Sequence, residues 1–382
     1  MTIELPEEER LLVETVTRFA RDNVEPRAAE IDETGTFATV HLPALAELGV
    51  MGLNLPEEWG GPGVSPAALY RCVEAIAGAC GSTASMVTAH FLATDAVLIG
   101  GNDAQREASL PSAAAGEKLG AFALTEPQAG SNPADMRCRA EREGDGWRLT
   151  GVKHFISNAG AADFIVVFAK TDPEAGARGI SAFLVEPAKV QGVEIASPER
   201  TMGLRGGHVF EVRFDCTLPA DALMGAEGSG FRTAMKVLDN GRVEVAAQAT
   251  GIAQAALDAA VAWAKERRVG GHPIADFQGL QWMLADMATE LAASRALAMD
   301  AAAKRGRGER FSREASMAKL YATEAASRIA DKALQIHGGY GYVTEFPVEQ
   351  FYRDAKVTTI YEGTTNMQLQ TIAKQLLRDG ER

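Results

Sequence analysis

The chain has 382 residues, 46% of them hydrophobic and 7% aromatic, and a formal net charge of −13. That length allows two or three domains with a sizeable core. The acidic balance excludes a partner bound through its phosphate backbone, because nucleic-acid affinity rests on clustered Lys and Arg.

From the N-terminus, Met1 to Glu9 is acidic and lacks both a basic n-region and an apolar core, so neither a secretory signal nor an Arg-rich transit peptide is expected. No apolar run reaches about 18 residues, so no membrane span is expected and the cytoplasm is the expected location. Residues 1–118 read as a helical domain: Leu11 to Val24 carries apolar positions at three- and four-residue spacing, Glu57 to Gly63 is a loop by composition, and Ala67 to Ile99 is two apolar helices parted near Gly81-Ser82-Thr83. Cys72, Cys80, Cys138 and Cys216 show no CxxC spacing and no nearby histidine pair, which reads as free thiols in a reducing compartment and leaves no metal site.

Residues 119–226 change texture. Short runs rich in Val, Ile, Phe and Thr (Ala121–Leu124, Trp147–Thr150, Phe164–Phe168, Ala182–Val185, Val209–Phe214) are separated by Gly and Asp turns, the pattern of a small antiparallel sheet or barrel. Residues 227–382 are helical again. Glu244–Glu266, Phe277–Lys304, Arg313–Ile336 and Met367–Leu377 are periodic and read as a four-helix bundle. Gly228-Ser229-Gly230 and Gly339-Tyr340-Gly341 lack the third glycine and the strand–turn–helix setting of a dinucleotide fingerprint, and no P-loop is present.

Two segments in the sheet region end in turns that expose N–H groups and hydroxyls. One is Ala121-Phe122-Ala123-Leu124-Thr125-Glu126-Pro127 with Gly130-Ser131-Asn132; the other is Gly151-Val152-Lys153-His154-Phe155-Ile156-Ser157-Asn158. Either is an ordinary strand-end turn when read alone; together they suit one wall of a flavin site, an aromatic near the ring and Thr125 and Ser157 at its polar edge. Near the C-terminus, Ile360-Tyr361-Glu362-Gly363-Thr364 sets one carboxylate between bulky apolar residues and a glycine turn. Such a glutamate alone reads most simply as a solvated cap or ion-pair partner. Held dry, its pKa would rise toward neutrality, as a general base for a weakly acidic C–H requires.

Taken with the helix–sheet–helix order, these segments resemble the acyl-CoA dehydrogenase family over essentially the whole chain. Leu48 to Gly61 looks like the family's N-terminal loop, and Thr125-Glu126-Pro127 with Gly130-Ser131 looks like its first signature. Gln335 to Gly341, then Arg353-Asp354-Ala355-Lys356 through Glu362-Gly363-Thr364, look like its second. The resemblance implies a mainly α, α+β fold: an N-terminal helical domain, a central antiparallel β-domain and a C-terminal four-helix bundle. It implies FAD as cofactor and an acyl-CoA thioester, short or branched, as substrate. Glu362 matches the base that removes the α-proton while flavin N5 takes the β-hydride, giving the trans-2-enoyl-CoA. In the family the thioester carbonyl is polarised by the base's own backbone N–H with a ribityl hydroxyl, and Gly363 lets the backbone approach.

By the same resemblance, Leu124, Thr125, Phe155 and Ser157 fall at the flavin ring, with Phe122, Thr364 and Asn366 at further FAD positions. Ser131, Asp239 and Arg242 fall on the substrate side. Arg267, Gln278, Gln335, Gly338 and Gly339 match residues that reach a neighbouring subunit's FAD, so a homotetramer built as a dimer of dimers is implied. An electron-transfer flavoprotein is the implied electron acceptor. Some relatives carry the base just before the arginine of Asp239-Asn240-Gly241-Arg242; here that position is Gly241. Three departures stand out: Val269-Gly270-Gly271 where an aromatic then glycine is usual, Phe155 where many relatives have tryptophan, and Asn132 where aspartate is common. Ser85, Met86, Val87 and His90 are the expected pocket floor, which without a cation favours an uncharged acyl chain. The same fold also serves oxidases and enzymes that eliminate a β-substituent such as sulfinate, and a non-catalytic helical scaffold is the alternative outside enzymology.

Overall fold

The computed structural model describes residues 4–379. Six helices come first: α1 (Glu7–Phe19), α2 (Ala28–Thr34), α3 (Leu42–Glu47), α4 (Pro66–Ala79), α5 (Gly81–Gly100) and α6 (Asp103–Ala114). Cys80, extended at φ −158°, parts α4 from α5 where the sequence placed the break. Ser65 caps α4 through its hydroxyl, and Asn102 with Gln105 forms a capping box on α6. By length and composition α5 could cross a membrane, but 78% of its apolar window is buried inside the protein, as befits a core helix.

Eight strands follow: β1 (Gly120–Ala123), β2 (Arg139–Glu143), β3 (Gly146–Ser157), β4 (Phe164–Lys170), β5 (Ile180–Val185), β6 (Val193–Ile195), β7 (Val209–Leu218) and β8 (Leu223–Met224). They form one sheet in the order β6-β7-β3-β2-β4-β5-β8, with β1 also on β4. The antiparallel expectation needs one correction. β1 runs parallel to β4, and β2 meets β4 in parallel at Arg139 and Lys170, so the sheet is mixed. A parallel neighbour needs a long crossover, and the β2–β3 hairpin lies in the connection from β1 to β4. Strand β4 is buried on both faces, which explains its unbroken apolar run. One face packs Trp147, Leu149 and Phe214 together; on the other, Phe164, Val166 and Phe168 meet α5, α6 and the next long helix.

That helix, α7 (Gly230–Glu266), is 37 residues long. A two-stranded ribbon, β9 (Arg268–Val269) with β10 (His272–Pro273), leads to α8 (Gln278–Gly306), α9 (Ser312–His337), α10 (Val348–Thr358) and α11 (Thr365–Asp379). Alanines line the seam between α7 and α9, among them Ala246, Ala253 and Ala260 facing Ala318, Ala322 and Ala326, all buried. Small residues let the two backbones approach closely, so a segment with few aromatics still builds a dense core. The free cysteines are all buried.

Candidate active site

The loop between α10 and α11 carries Glu362. Its backbone is left-handed, at φ 54°, and Gly363 follows at φ 92°. A positive φ on a non-glycine residue costs on the order of 1–3 kcal/mol and persists only where the surroundings impose it. Those surroundings are specific. Gln368 donates from Nε2 to the Glu362 and Gly363 carbonyls at 3.0 and 2.8 Å. Lys319 of α9, fully buried, donates from Nζ to the same Gly363 oxygen at 2.8 Å. The Tyr361 hydroxyl donates to Gln248 Oε1, and Gln248 Nε2 in turn reaches the Gly81 carbonyl at 3.0 Å. Pinned this way, the turn aims the Glu362 side chain inward.

The carboxylate ends in a cavity of about 30 Å³. α5 supplies Ser85, Thr88, Ala89 and Leu92; α7 supplies Gly241, Glu244 and Val245; Ser157 comes from the end of β3, and Tyr361 and Glu362 close it. Glu362 Oε2 is buried there without a hydrogen-bond partner among the described residues. Burial pushes its pKa up to about 7, against the pull of Arg242 and Lys319. Gly241 is required by close approach: a Cβ there would stand 2.9 Å from Glu362 Oε2 and 2.8 Å from Leu92 Cδ2. Arg242 donates to Asp239 Oδ1 at 2.6 Å, and Ser312 holds the other Asp239 oxygen.

The two sheet segments are joined to each other, and the second reaches this cavity through Ser157. His154 N donates to the Thr125 carbonyl at 2.9 Å, tying the end of β3 to the turn after β1. The β3–β7 register shifts between Lys153 and Ile156, and the bulge leaves Phe155 at φ 57° and 60% exposed, stacked on His154. Below it, Lys153 and Glu126 form a buried ion pair at 2.8 Å; Lys153 also donates to the Leu124 carbonyl at 3.0 Å, and Glu126 accepts from Arg137 N and Cys138 N. Leu124, Thr125, Phe155 and Ser157 therefore sit on one scaffold, with Phe122 in the strand that feeds it. An exposed aromatic held in a left-handed conformation, two residues before Ser157 at the cavity wall, fits a planar ring bound against this scaffold. Ser131 lies on the exposed turn beyond, Thr364 leads into α11 and Asn366 is exposed in its first turn.

Arg267, Gly338 and Gly339 are elsewhere. They line a surface recess of about 430 Å³ whose floor is Trp263 stacked on His337, with Tyr340 at its side. Gln335 is exposed at the end of α9 nearby, and Gln278 is exposed at the start of α8. Of the expected pocket floor only Ser85 lines the cavity. Met86 and Val87 are in the helical core, and His90 Nδ1 accepts from Gly120 N at 3.0 Å. Burial lowers the His90 pKa to about 4, so its ring is neutral. Sequence reasoning missed Glu244, Lys319 and Gln368. The glutamate lies two residues past Arg242, and that spacing was the one available signal.

Compared with known proteins, residues 6–117, 121–217 and 228–377 match the family descriptions "Acyl-CoA dehydrogenase, N-terminal domain", "middle domain" and "C-terminal domain" in that order. The chain belongs to the acyl-CoA dehydrogenase family. It is 41% identical over 381 residues to the acryloyl-CoA reductase (NADH) of Anaerotignum propionicum, covering 99% of this chain and 96% of that protein. It is also 41% identical over 379 residues to the human mitochondrial short-chain specific acyl-CoA dehydrogenase, covering 99% and 92%. The solved butyryl-CoA dehydrogenase of Megasphaera elsdenii superposes with a TM-score of 0.96 at 37% identity, covering 99% of this chain and all of that one. The protein is an oxidoreductase of the acyl-CoA dehydrogenase family, and FAD is its cofactor.

Proposed function

We propose that this protein removes one hydrogen from each of the α and β carbons of a short, uncharged acyl-CoA thioester, giving the trans-2-enoyl-CoA. The observation that carries this reading is the Glu362 carboxylate, buried, unpartnered at Oε2 and raised to about 7 beside the strand-end scaffold. Near neutrality such a group is ionised often enough to accept the α-proton, and basic enough to keep it. Among the described residues none accepts a hydrogen bond from the Glu362 backbone N–H. It is free to donate to the thioester oxygen, where negative charge grows as the α-proton leaves. Bound FAD supplies the acceptor for the β-hydride.

Leu124, Thr125, Phe155 and Ser157 would hold the flavin ring, with Phe122, Thr364 and Asn366 along the cofactor, while Ser131, Asp239, Arg242 and Gly363 face the substrate. In the recess, Arg267, Gly338 and Gly339, joined by Gln335 and Gln278, would grip FAD of a neighbouring subunit. Distance supports that assignment: Gly241 and Trp263 are 22 residues apart on one helix, roughly 33 Å, so a single chain's two sites call for two cofactor molecules. Our reading places the chain in a homotetramer built as a dimer of dimers, working in the cytoplasm and passing electrons to an electron-transfer flavoprotein.

The test is Glu362→Gln. The variant should retain FAD while anaerobic flavin reduction by butyryl-CoA falls by several orders of magnitude; near-normal reduction would remove Glu362 from the mechanism. Oxygen uptake and sulfite release, measured on the wild type in parallel, address the oxidase and desulfinase readings.

A further inference from the structure

A second carboxylate lies in the same cavity, and proton abstraction gives it nothing to do. Glu244 is 1% exposed and lines the wall one helical turn beyond Gly241. Its Oε1 accepts from Arg305 Nη1 at 3.4 Å; its Oε2 is buried with no partner among the described residues. Arg305 is shared, with Nη2 at 3.9 Å from Asp95 Oδ2. Asp95 is satisfied separately by the Asn240 and Asn54 amides, each at 2.7 Å. Two buried carboxyl groups thus face one guanidinium. Burial, then the Asp95 charge, push the Glu244 pKa up to about 8; Arg305 opposes this and Glu362 adds to it. Burial thus favours the undissociated form of Glu244, whose remaining oxygen has no partner among the described residues.

The rest of the wall is also partly polar, with the hydroxyl residues Ser85 and Thr88 opposite on α5. A saturated hydrocarbon tail would leave the Glu244 donor unmatched, whereas an oxygen on the tail would satisfy it. Position follows from the helix. Gly241 abuts the base, and three residues further on is about 4.5 Å along the axis, the reach of a short tail past its α-carbon.

We propose that Glu244 is a specificity-determining residue, its carboxyl group donating a hydrogen bond to a hydroxyl oxygen at the γ end of a short acyl thioester. The inference rests on the dehydrogenase reading above and narrows its substrate class. Arg305, already engaged by Asp95 and Glu244, is not available to an acidic tail.

The experiment compares anaerobic flavin reduction by freshly prepared γ-hydroxybutyryl-CoA, valeryl-CoA and γ-aminobutyryl-CoA, which differ only in a terminal hydroxyl, methyl or ammonium. On the holoenzyme, kcat/KM for the hydroxyl compound should exceed that for valeryl-CoA by about tenfold or more, the worth of one hydrogen bond to an otherwise unmatched buried donor. Glu244→Gln keeps a donor and a partner for Arg305, and should keep the preference. Glu244→Met should reverse it; should that variant fail to fold, the wild-type ratio and Glu244→Gln decide. Valeryl-CoA equal or better, or γ-aminobutyryl-CoA preferred, overturns the inference and leaves the dehydrogenase reading standing. Reduction by none of the three while butyryl-CoA still reduces the flavin overturns the inference alone; failure of butyryl-CoA as well overturns both.

Discussion

Lys319 offers the sharpest test of how the site sets its base. It is fully buried in α9, and burial draws its pKa down to about 8, with Glu362 resisting that fall. It is therefore largely charged at pH 7, and its charge is one of the two that hold the Glu362 pKa down to about 7. Lys319→Met removes the charge at similar volume. The Gly363 carbonyl keeps its bond from Gln368 Nε2 at 2.8 Å, so the turn is not left with an orphaned acceptor. An opposite charge at short range moves a carboxylic acid by about one to three pH units. With Arg242 still in place, we take the lower end, about one unit upward. A base must be ionised to act, so the ascending limb of kcat/KM against pH should move from about 7 to about 8. At pH 7 the variant loses roughly fivefold, and the loss disappears at alkaline pH. The assay is a pH series of substrate-dependent flavin reduction, repeated in a Glu244→Gln background because Glu244 titrates nearby. An unmoved limb, or an equal loss at every pH, would refute the electrostatic role.

Other perturbations probe the remaining supports. Gly241→Ala places a methyl against the Glu362 carboxylate and Leu92; kcat should fall on the order of tenfold to a hundredfold, with the circular dichroism spectrum unchanged. Lys153→Met strands Glu126 in the interior, which should cost about 3–5 kcal/mol and lower the thermal unfolding midpoint markedly. Arg267→Ala, at the recess, should reduce the flavin-to-protein ratio after dialysis while the activity per bound flavin holds; an unchanged ratio would argue against FAD in the recess.

Much of this was legible in the chain. The strands at β1, β3, β4, β5 and β7 announced themselves through short apolar runs between Gly and Asp turns, whereas Glu362 alone read as a solvated cap and became a candidate base only through the family resemblance. β2 did not, because its only buried residue is Ala140 and its other positions are charged and exposed; such a strand has no hydrophobic alternation to read. The start of α7 was hidden as well. Asp239-Asn240-Gly241 has the composition of a turn, yet it is helical because a tertiary partner claims each residue: Ser312 for the aspartate, Asp95 for the asparagine, and the base itself for the glycine. Lys319 was unreadable for a related reason, and Glu244 nearly so, with only its spacing from Arg242 to mark it. A single charge within an alanine-rich helix looks solvated until the fold shows which face it occupies.

The length of α7 carries a consequence of its own. On the proposed assembly, a stiff rod separates the end of each polypeptide that handles one nucleotide from the end that steadies its neighbour's. Cofactor retention then belongs to the group rather than to the individual: dilution that parts the protomers should loosen every flavin together, and the yellow colour becomes a gauge of association.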